Sequence, residues 1–498
     1  MIGLARLAPK IVLACLIAVV CVYGAHALQL ARYPWDWSPD EGLFLDYARR
    51  LLRAPESLYP KSVVPYPAIY GPLIAVALAP FVAWSDQPLS LARGFNVACV
   101  AAASLATFAL VKRRAGAVAG AAAVALWLAP LDVSFWHLLV RPDTPMLASL
   151  LLGAFWLMPE RLARGADRLD ARRLLGGSAA LLAAVLFKPT ALLHAAPLLA
   201  AWLLVDYASA MRLFAVVGLG CLSSAALLEL LSSGGFSWSQ RLFADHPYFP
   251  GQVPVILQLF AERTWPVLLL AAAAFGVAWR RGRAPWRDGS FSLVVGGLLI
   301  VPALAKGGAY FNYLLPLLSG LVIAGGRWLG CGEPAGRAAP AGPLLASLTA
   351  LALVLTTRFP LPSATDEATA TFFYDFVRAK AREAPILAIA PDYAYFVVGQ
   401  PVELEATGLL FLSMGAPGAE QIVERLTAGG YGLVIEGPWR LPDTAGTRAL
   451  LAGYAPVGEC RLGSFLGPLS YRLRVRRGSS QTFLPLPGIA CRPILAPS

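Results

Sequence analysis

Residues 11–30 read IVLACLIAVVCVYGAHALQL, and eight positions beyond them begins the pentapeptide Ser38-Pro39-Asp40-Glu41-Gly42. The first stretch decides the class of fold, because about 20 uncharged residues are enough to cross the hydrocarbon core of a bilayer. Ala25-His26-Ala27 has the small-residue pattern of a leader cleavage site. The run is too long for an ordinary leader core and many more follow, so it reads as an uncleaved anchor. The pentapeptide has two readings. Adjacent carboxylates at the lip of a bilayer are costly to keep there and mark a candidate functional site. Equally, Ser38 as N-cap, Pro39 at N1 and Glu41 at N3 compose a capping box that opens a helix to about Arg53.

Composition extends the membrane reading to the whole chain. Of 498 residues, 58% are hydrophobic and 14% charged, against about 25% charged in soluble domains. The net charge of +12 is concentrated in breaks between apolar runs, at Lys112-Arg113-Arg114 and within 161–173, 280–287 and 327–337. Excess Lys and Arg in short loops marks the cytoplasmic side. Their scatter over separate membrane-flanking loops speaks against a nucleic-acid partner. The seven cysteines show no metal-ligand spacing. Cys460 and Cys491 fall in the polar tail, where a disulfide between them is open.

With Arg6 and Lys10 inside, the first span delivers Asp40 and Glu41 to the outer face. The outer loop 31–89 holds two helical stretches. Over 39–53, Leu43, Phe44, Tyr47 and Leu51 oppose Asp46, Arg49, Arg50 and Arg53, the pattern of a helix lying in the interface. Counting 70–84 as a span would put Lys112-Arg113-Arg114 outside, so it reads as interfacial or re-entrant. Further spans fall at 90–111, 116–131, 143–158, 174–187, 190–205, 212–232, 264–279, 290–304, 310–326 and 343–357, about eleven in all. That number leaves the chain end outside. The Gly-, Ala- and Pro-rich stretch 331–343 reads as a flexible inner loop. Beyond residue 357, helical patterns at 366–383, 420–426 and near Ala449 alternate with strand patterns at 386–390, 432–436 and near Val457 and Tyr471. The expected architecture is an all-α polytopic membrane domain over 1–357 and a small extracytoplasmic α/β domain over 358–498.

This topology gathers polar groups on the outer side. After Asp40 and Glu41 come Arg141-Pro142-Asp143, then Lys188-Pro189, then a loop 233–263 with Gln240, Arg241, Asp245, His246 and Tyr248. The last outer loop carries Lys306 and Tyr310-Phe311-Asn312-Tyr313. Prolines beside charges imply interrupted helices, which survive at membrane depth only where they line a buried or wet cavity. Each group has a plainer reading: Arg141 and Lys188 as snorkelling cations, Asp143 as a carboxylate favoured by its helix N-terminus, the tyrosines as belt aromatics, and His137 and His246 as ordinary hydrogen-bonded histidines. Against these stands the convergence of acids and cations on one face. Such a set suits a sugar leaving a lipid phosphate, in which a carboxylate takes the proton of the attacking hydroxyl or amine and positioned cations hold the departing phosphate.

The layout resembles the GT-C superfamily of integral-membrane glycosyltransferases, which use polyprenyl-phosphate sugars. It is similar to the family 39-like branch of protein O-mannosyltransferases and lipid A aminoarabinose transferases. The likeness is carried by Asp40-Glu41, Tyr70-Gly71-Pro72-Leu73, Arg141-Pro142-Asp143, Phe187-Lys188-Pro189-Thr190 and Asn312-Tyr313-Leu314-Leu315-Pro316, in that order. It implies Asp40 as base, Glu41 positioning the acceptor or shaping the site, and Asp143 as the second acidic position. Arg141, Lys188 and Lys306 would hold the donor phosphate, and Tyr70, Tyr310, Asn312 and Tyr313 would contact substrate. A histidine common before the last-loop tyrosine is absent, with Lys306 and Asn312 nearby instead. No MIR domain is present, so protein O-mannosylation is not implied. Some relatives bind a divalent metal at the acidic residues, which leaves metal use open here. The expectation is a cytoplasmic-membrane enzyme with a polyprenyl-phosphate sugar donor and a lipid or glycan acceptor. Its rivals are a lipid or polysaccharide transporter, for which inverted repeats are wanting, and a non-catalytic subunit of an envelope assembly complex.

Overall fold

The computed structural model describes residues 2–38, 40–62, 66–245, 248–329, 341–357, 359–388, 419–437, 449, 451–464, 468–478, 483, 485 and 489–494. Pro39, His246, most of the 331–343 stretch and nearly all of the helix expected near Ala449 lie outside the described residues. The helical body begins with α1 (Ile2–Arg32), α2 (Glu41–Arg53) and α3 (Leu73–Trp84), then α4 (Pro88–Leu128) and the short α5 (Leu131–Ser134). It continues through α6 (Asp143–Leu157), α7 (Ala171–Phe187), α8 (Ala191–Val205), α9 (Tyr207–Leu231) and α10 (Gly235–Ala244). Next come α11 (Gln252–Arg280), α12 (Phe291–Leu299), α13 (Leu315–Leu329) and α14 (Ala341–Thr356).

Helices occupy every run expected to span. Among the described residues four of them, α1, α4, α9 and α11, are long and apolar enough to cross a membrane by length and composition alone. The expected spans 90–111 and 116–131 are two arms of α4. Gly116 at φ +85° and ψ 170° breaks it just after Lys112-Arg113-Arg114, a backbone conformation that favours glycine. The arms fold back on each other, so a Cβ on Gly120 would lie 2.8 Å from the Phe108 ring. Helix α9 leaves Leu219, Leu222, Leu230 and Leu231 more than half exposed. So large an apolar face is a liability in water and unremarkable in lipid.

Two expectations need correction. The fourth outer loop is largely helical, because α10 and the first turns of α11 fill it. The amphipathic stretch near 39–53 presents only part of its polar side, since Arg53 is exposed and Arg49 half-buried. Asp46 and Arg50 are buried and paired at 3.0 Å, and Arg50 donates to the carbonyls of Ser57 and Tyr66. The chain that follows α2 folds over its charged face, a tertiary contact that helical periodicity cannot register.

The arginine-rich breaks meet at one end of the bundle. Arg327, wholly buried, donates from Nε to Asp288 at 3.0 Å, from Nη2 to Glu160 at 2.5 Å and from Nη1 to the Leu110 carbonyl at 2.8 Å. Arg114 reaches the other oxygen of Asp288 at 2.6 Å. Arg93, near the opposite end of the same α4 arm, lies about 30 Å away at 1.5 Å per residue, which is the thickness of a hydrocarbon core.

The tail is an α/β unit. α15 (Ala364–Ala381) opens on a capping box between Ser363 and Asp366, and α16 (Ala419–Thr427) carries an apolar stripe. Strands β1 (Ile386–Ala388), β2 (Leu433–Glu436), β3 (Tyr454–Leu462), β4 (Leu469–Arg476) and β5 (Cys491–Pro493) form one sheet in the order β1-β2-β4-β3-β5. Only β1 and β2 run parallel. The Cys460–Cys491 disulfide joins β3 to β5, a strand too short to be legible in sequence. The tail rests on the segment leading to Asp40: Trp35 stacks on Tyr374 at 4.1 Å, and Trp37 Nε1 donates to the Pro360 carbonyl at 2.7 Å.

Asp288→Asn should leave the buried Arg327 guanidinium and the half-buried Arg114 short of a counter-charge, a loss of about 3–5 kcal/mol. A thermal unfolding series in detergent measures it, and an unshifted transition would show that the cluster does not hold these loops together.

Candidate active site

Local breaks in regular structure bring the polar groups together. Pro142 precedes α6, so Arg141 stays outside the helix while Asp143 becomes its first residue. Pro189 forces the residue before it towards extended backbone. Lys188 adopts φ −150° and ψ 117°, ends α7 and lies buried. Gly71 lies against that helix end: a Cβ there would sit 1.9 Å from the Leu186 carbonyl oxygen. Only glycine allows this approach, which sets the Tyr70 ring 5.6 Å from Lys188 Nζ. Asn312 and Tyr313 come from a single 3-10 turn at Phe311–Leu314 ahead of α13.

The charges alternate. Arg141 pairs with Asp40 through Nη1 and approaches Asp143 Oδ2 with Nε at 3.5 Å. Asp143 Oδ1 accepts from Lys188 Nζ at 2.7 Å and Asn312 Nδ2 at 3.0 Å. Lys188 Nζ also lies 4.1 Å from the Tyr313 ring centroid. Aromatic rings link the two remaining residues to this cluster. Phe243 contacts Tyr70 at 6.2 Å and carries Lys306 Nζ at 3.5 Å. Trp136 lies under the Arg141 guanidinium at 5.4 Å and against Tyr310 at 5.6 Å. Asp40 is the accessible carboxylate: its side chain is 24% exposed, that of Asp143 1%. Asp143 Oδ2 and Arg141 Nε face each other as an ion pair without closing a hydrogen bond, and Asn312 Oδ1 is buried with no hydrogen-bond partner. Buried polar atoms are rarely left so, and Asn312 Oδ1 offers an acceptor to a polar ligand.

The acidic residues do not fit a divalent cation as arranged. The Arg141 guanidinium stands between Asp40 and Asp143, and Lys188 takes the other Asp143 oxygen. Among the described residues no three His, Cys, Asp or Glu side chains are grouped as metal ligands.

Neither a protein-family model nor a curated protein matches the sequence. Solved structures do match the fold. ArnT from Cupriavidus metallidurans bound to undecaprenyl phosphate aligns with a TM-score of 0.59 at 13% identity, over 93% of this chain and 97% of that one. Its apo form gives 0.56 at 12% identity, over 92% and 97%. The archaeal oligosaccharyltransferase AglB from Archaeoglobus fulgidus, in complex with an inhibitory peptide and a dolichol-phosphate, gives 0.51 at 11% identity, over 93% and 74%. The chain shares the fold of ArnT and AglB.

Within this fold, Glu41 has a different environment from Asp40. Glu41 is wholly buried and accepts five hydrogen bonds: from the amides of Trp37, Ser38 and Val140, and from Arg93 Nε and Nη2 at 2.9 and 2.6 Å. Burial alone would raise its pKa, but the Arg93 charge and these donors together hold it below the usual carboxylate range. Half of the expected capping box forms. Glu41 reaches back to the Ser38 amide, while the Ser38 hydroxyl has no partner and α2 begins at Glu41. Arg93 spends its remaining N–H groups on the carbonyls of Leu30, Tyr33 and Trp35. Arg93 does not stand out in the sequence, since it lies near a span end, where cations commonly snorkel. The signal available was that a buried acid such as Glu41 demands a cation.

Arg93→Met should strand the Glu41 charge and cost about 3–5 kcal/mol, read as lost thermal stability in detergent. Glu41→Gln, which still accepts from the amides, should cost less. Equal stability of Arg93→Met and the native protein would contradict the pairing.

Proposed function

We propose that this chain is an integral-membrane glycosyltransferase. It moves a sugar from a polyprenyl-phosphate donor to an acceptor on the outer face of the cytoplasmic membrane. The observation that carries this reading is a single accessible carboxylate, Asp40, at the head of an alternating row of charges that ends in the buried Lys188. The undecaprenyl phosphate bound by ArnT and the dolichol-phosphate bound by AglB support a lipid phosphate as the donor's carrier. The basic loops gathered at the other end of the bundle support a cytoplasmic position for that end. A disulfide in the tail suits an oxidising compartment.

In this mechanism Arg141 and Lys188 hold the phosphodiester, with Lys306 at the rim. The acceptor's hydroxyl or amine attacks the anomeric carbon as the bond from that carbon to the phosphate oxygen breaks. Asp40 takes the attacking group's proton. The polyprenyl phosphate leaves as an anion already stabilised by the cations, so its departure needs no general acid. As phosphate draws on the Arg141 guanidinium, it weakens the pairing that restrains Asp40. Glu41 acts at one remove, by fixing the backbone on which Asp40 stands.

Reconstitution with a panel of radiolabelled polyprenyl-phosphate sugars tests the reading. One member should be turned over, and transfer from none would refute it. Arg141→Ala and Lys188→Ala should each weaken donor binding by about 1–3 kcal/mol. Unchanged donor affinity in both would assign them to packing.

Lys306 adds a pH test. Burial brings its ammonium down to about 8, with the Asp245 charge opposing in part. It is therefore charged below that pH and neutral above it. Donor affinity should fall as pH rises through about 8, and Lys306→Arg should abolish that fall. A profile identical in both proteins would remove Lys306 from the donor site.

A further inference from the structure

Trp136 belongs to two places at once. Its ring lies under Arg141, and it also lines a separate cavity of about 550 Å³ with Asp132, Glu262, Arg263, Trp265 and Tyr310. The cavity lies between the first half of α11 and the last turn of α14, where Thr356 and Thr357 line it. Trp265 is 57% exposed beside it, as suits an indole at head-group depth.

The charge of this cavity is opposite to that of the Asp40 cluster. Two carboxylates face one guanidinium, and Arg263 is already committed, at 3.3 Å from Asp132 and 4.8 Å from the Phe311 ring. Asp132 Oδ1 is buried with no hydrogen-bond partner. Glu262 is exposed, bonded to Gln258 at 2.8 Å. A phosphate anion would meet net repulsion here and attraction at Arg141, Lys188 and Lys306. What fits is a ligand that donates hydrogen bonds to carboxylates and lays flat apolar faces on aromatic rings. A saccharide does both, through its hydroxyls and its C–H faces, and an amino group would add a charge pair. The volume lies within the range of about 300–1,000 Å³ typical of small-molecule sites.

We propose that this cavity seats the body of the acceptor, a neutral or amine-bearing saccharide, one aromatic ring away from the pair of Arg141 and Asp40, with only its reacting group passing Trp136 to reach Asp40. The assignment rests on the transferase reading, with the two substrates sorted by charge into adjoining sites.

Photo-cross-linking of the full-length protein in a non-glycosidic detergent tests it without requiring turnover. The probes are octyl β-glucoside and octyl β-glucosaminide with a diazirine in the alkyl chain, and diazirine-bearing octanol as control. The glycosides should label peptides holding 132–136, 262–265 and 353–357, and octanol should not. Excess methyl β-glucosaminide should compete if the sugar ring is the recognised part. Glu262→Gln should cut glucosaminide labelling by about tenfold, with polyprenyl-phosphate affinity held within about twofold. Equal labelling by octanol, labelling unchanged in Glu262→Gln, or loss of polyprenyl-phosphate binding in that variant would each overturn the assignment. Labelling as expected in a protein that transfers no sugar would refute the transferase reading and leave the saccharide site standing. Intact transfer with labelling elsewhere would do the reverse.

Discussion

The site depends on the ion pair between Arg93 and Glu41. A guanidinium buried near hydrocarbon is tolerable only when its charge is matched and its N–H groups are all used. Arg93 meets both conditions by gathering the last carbonyls of α1, the chain that follows them and the carboxylate that opens α2. Glu41 extends the same network to the Val140 amide, one residue before Arg141. Three segments far apart in sequence are thereby fixed at one point, and Asp40 and Arg141, the residues adjoining two of the anchors, are held facing each other.

That arrangement separates two carboxylates that are neighbours in sequence. Glu41 is saturated and inaccessible; Asp40 keeps one partner, Arg141, and a path to solvent. A base needs a free lone pair and an approach for its substrate, and an anchor needs neither. The same economy holds for the cations. Lys188 is buried against Asp143 and two tyrosine rings, so it is poised rather than free. A phosphate arriving beside it would exchange one anionic partner for another, with little new desolvation.

Much of this was legible in the sequence, and the illegible remainder has definite causes. The apolar runs, the basic breaks and the strand and helix patterns of the tail are local signals, and the elements stand close to where those signals put them. Proline beside charge at Arg141 and Lys188 was informative because proline dictates backbone geometry locally. Gly71 could not be read the same way, since its role is set by the Leu186 carbonyl, more than a hundred positions away. Arg93 went unmarked and part of the polar face of α2 was misjudged for the same reason: the partners that settle them come from other segments. The hydrophobic pattern of α4 gave two spans, and the break at Gly116 divides the helix into the two arms that supply them.

The central claim is that Asp40 reacts and Glu41 holds. It is tested most directly by single-turnover transfer from a polyprenyl-phosphate sugar with Asp40→Asn, which keeps the shape of the side chain and removes its basicity. The account predicts a loss of turnover of about 10²-fold or more, with donor binding and thermal stability close to those of the native protein. Near-native turnover in a well-folded Asp40→Asn protein would contradict it and return the acidic pair to the role of a helix start.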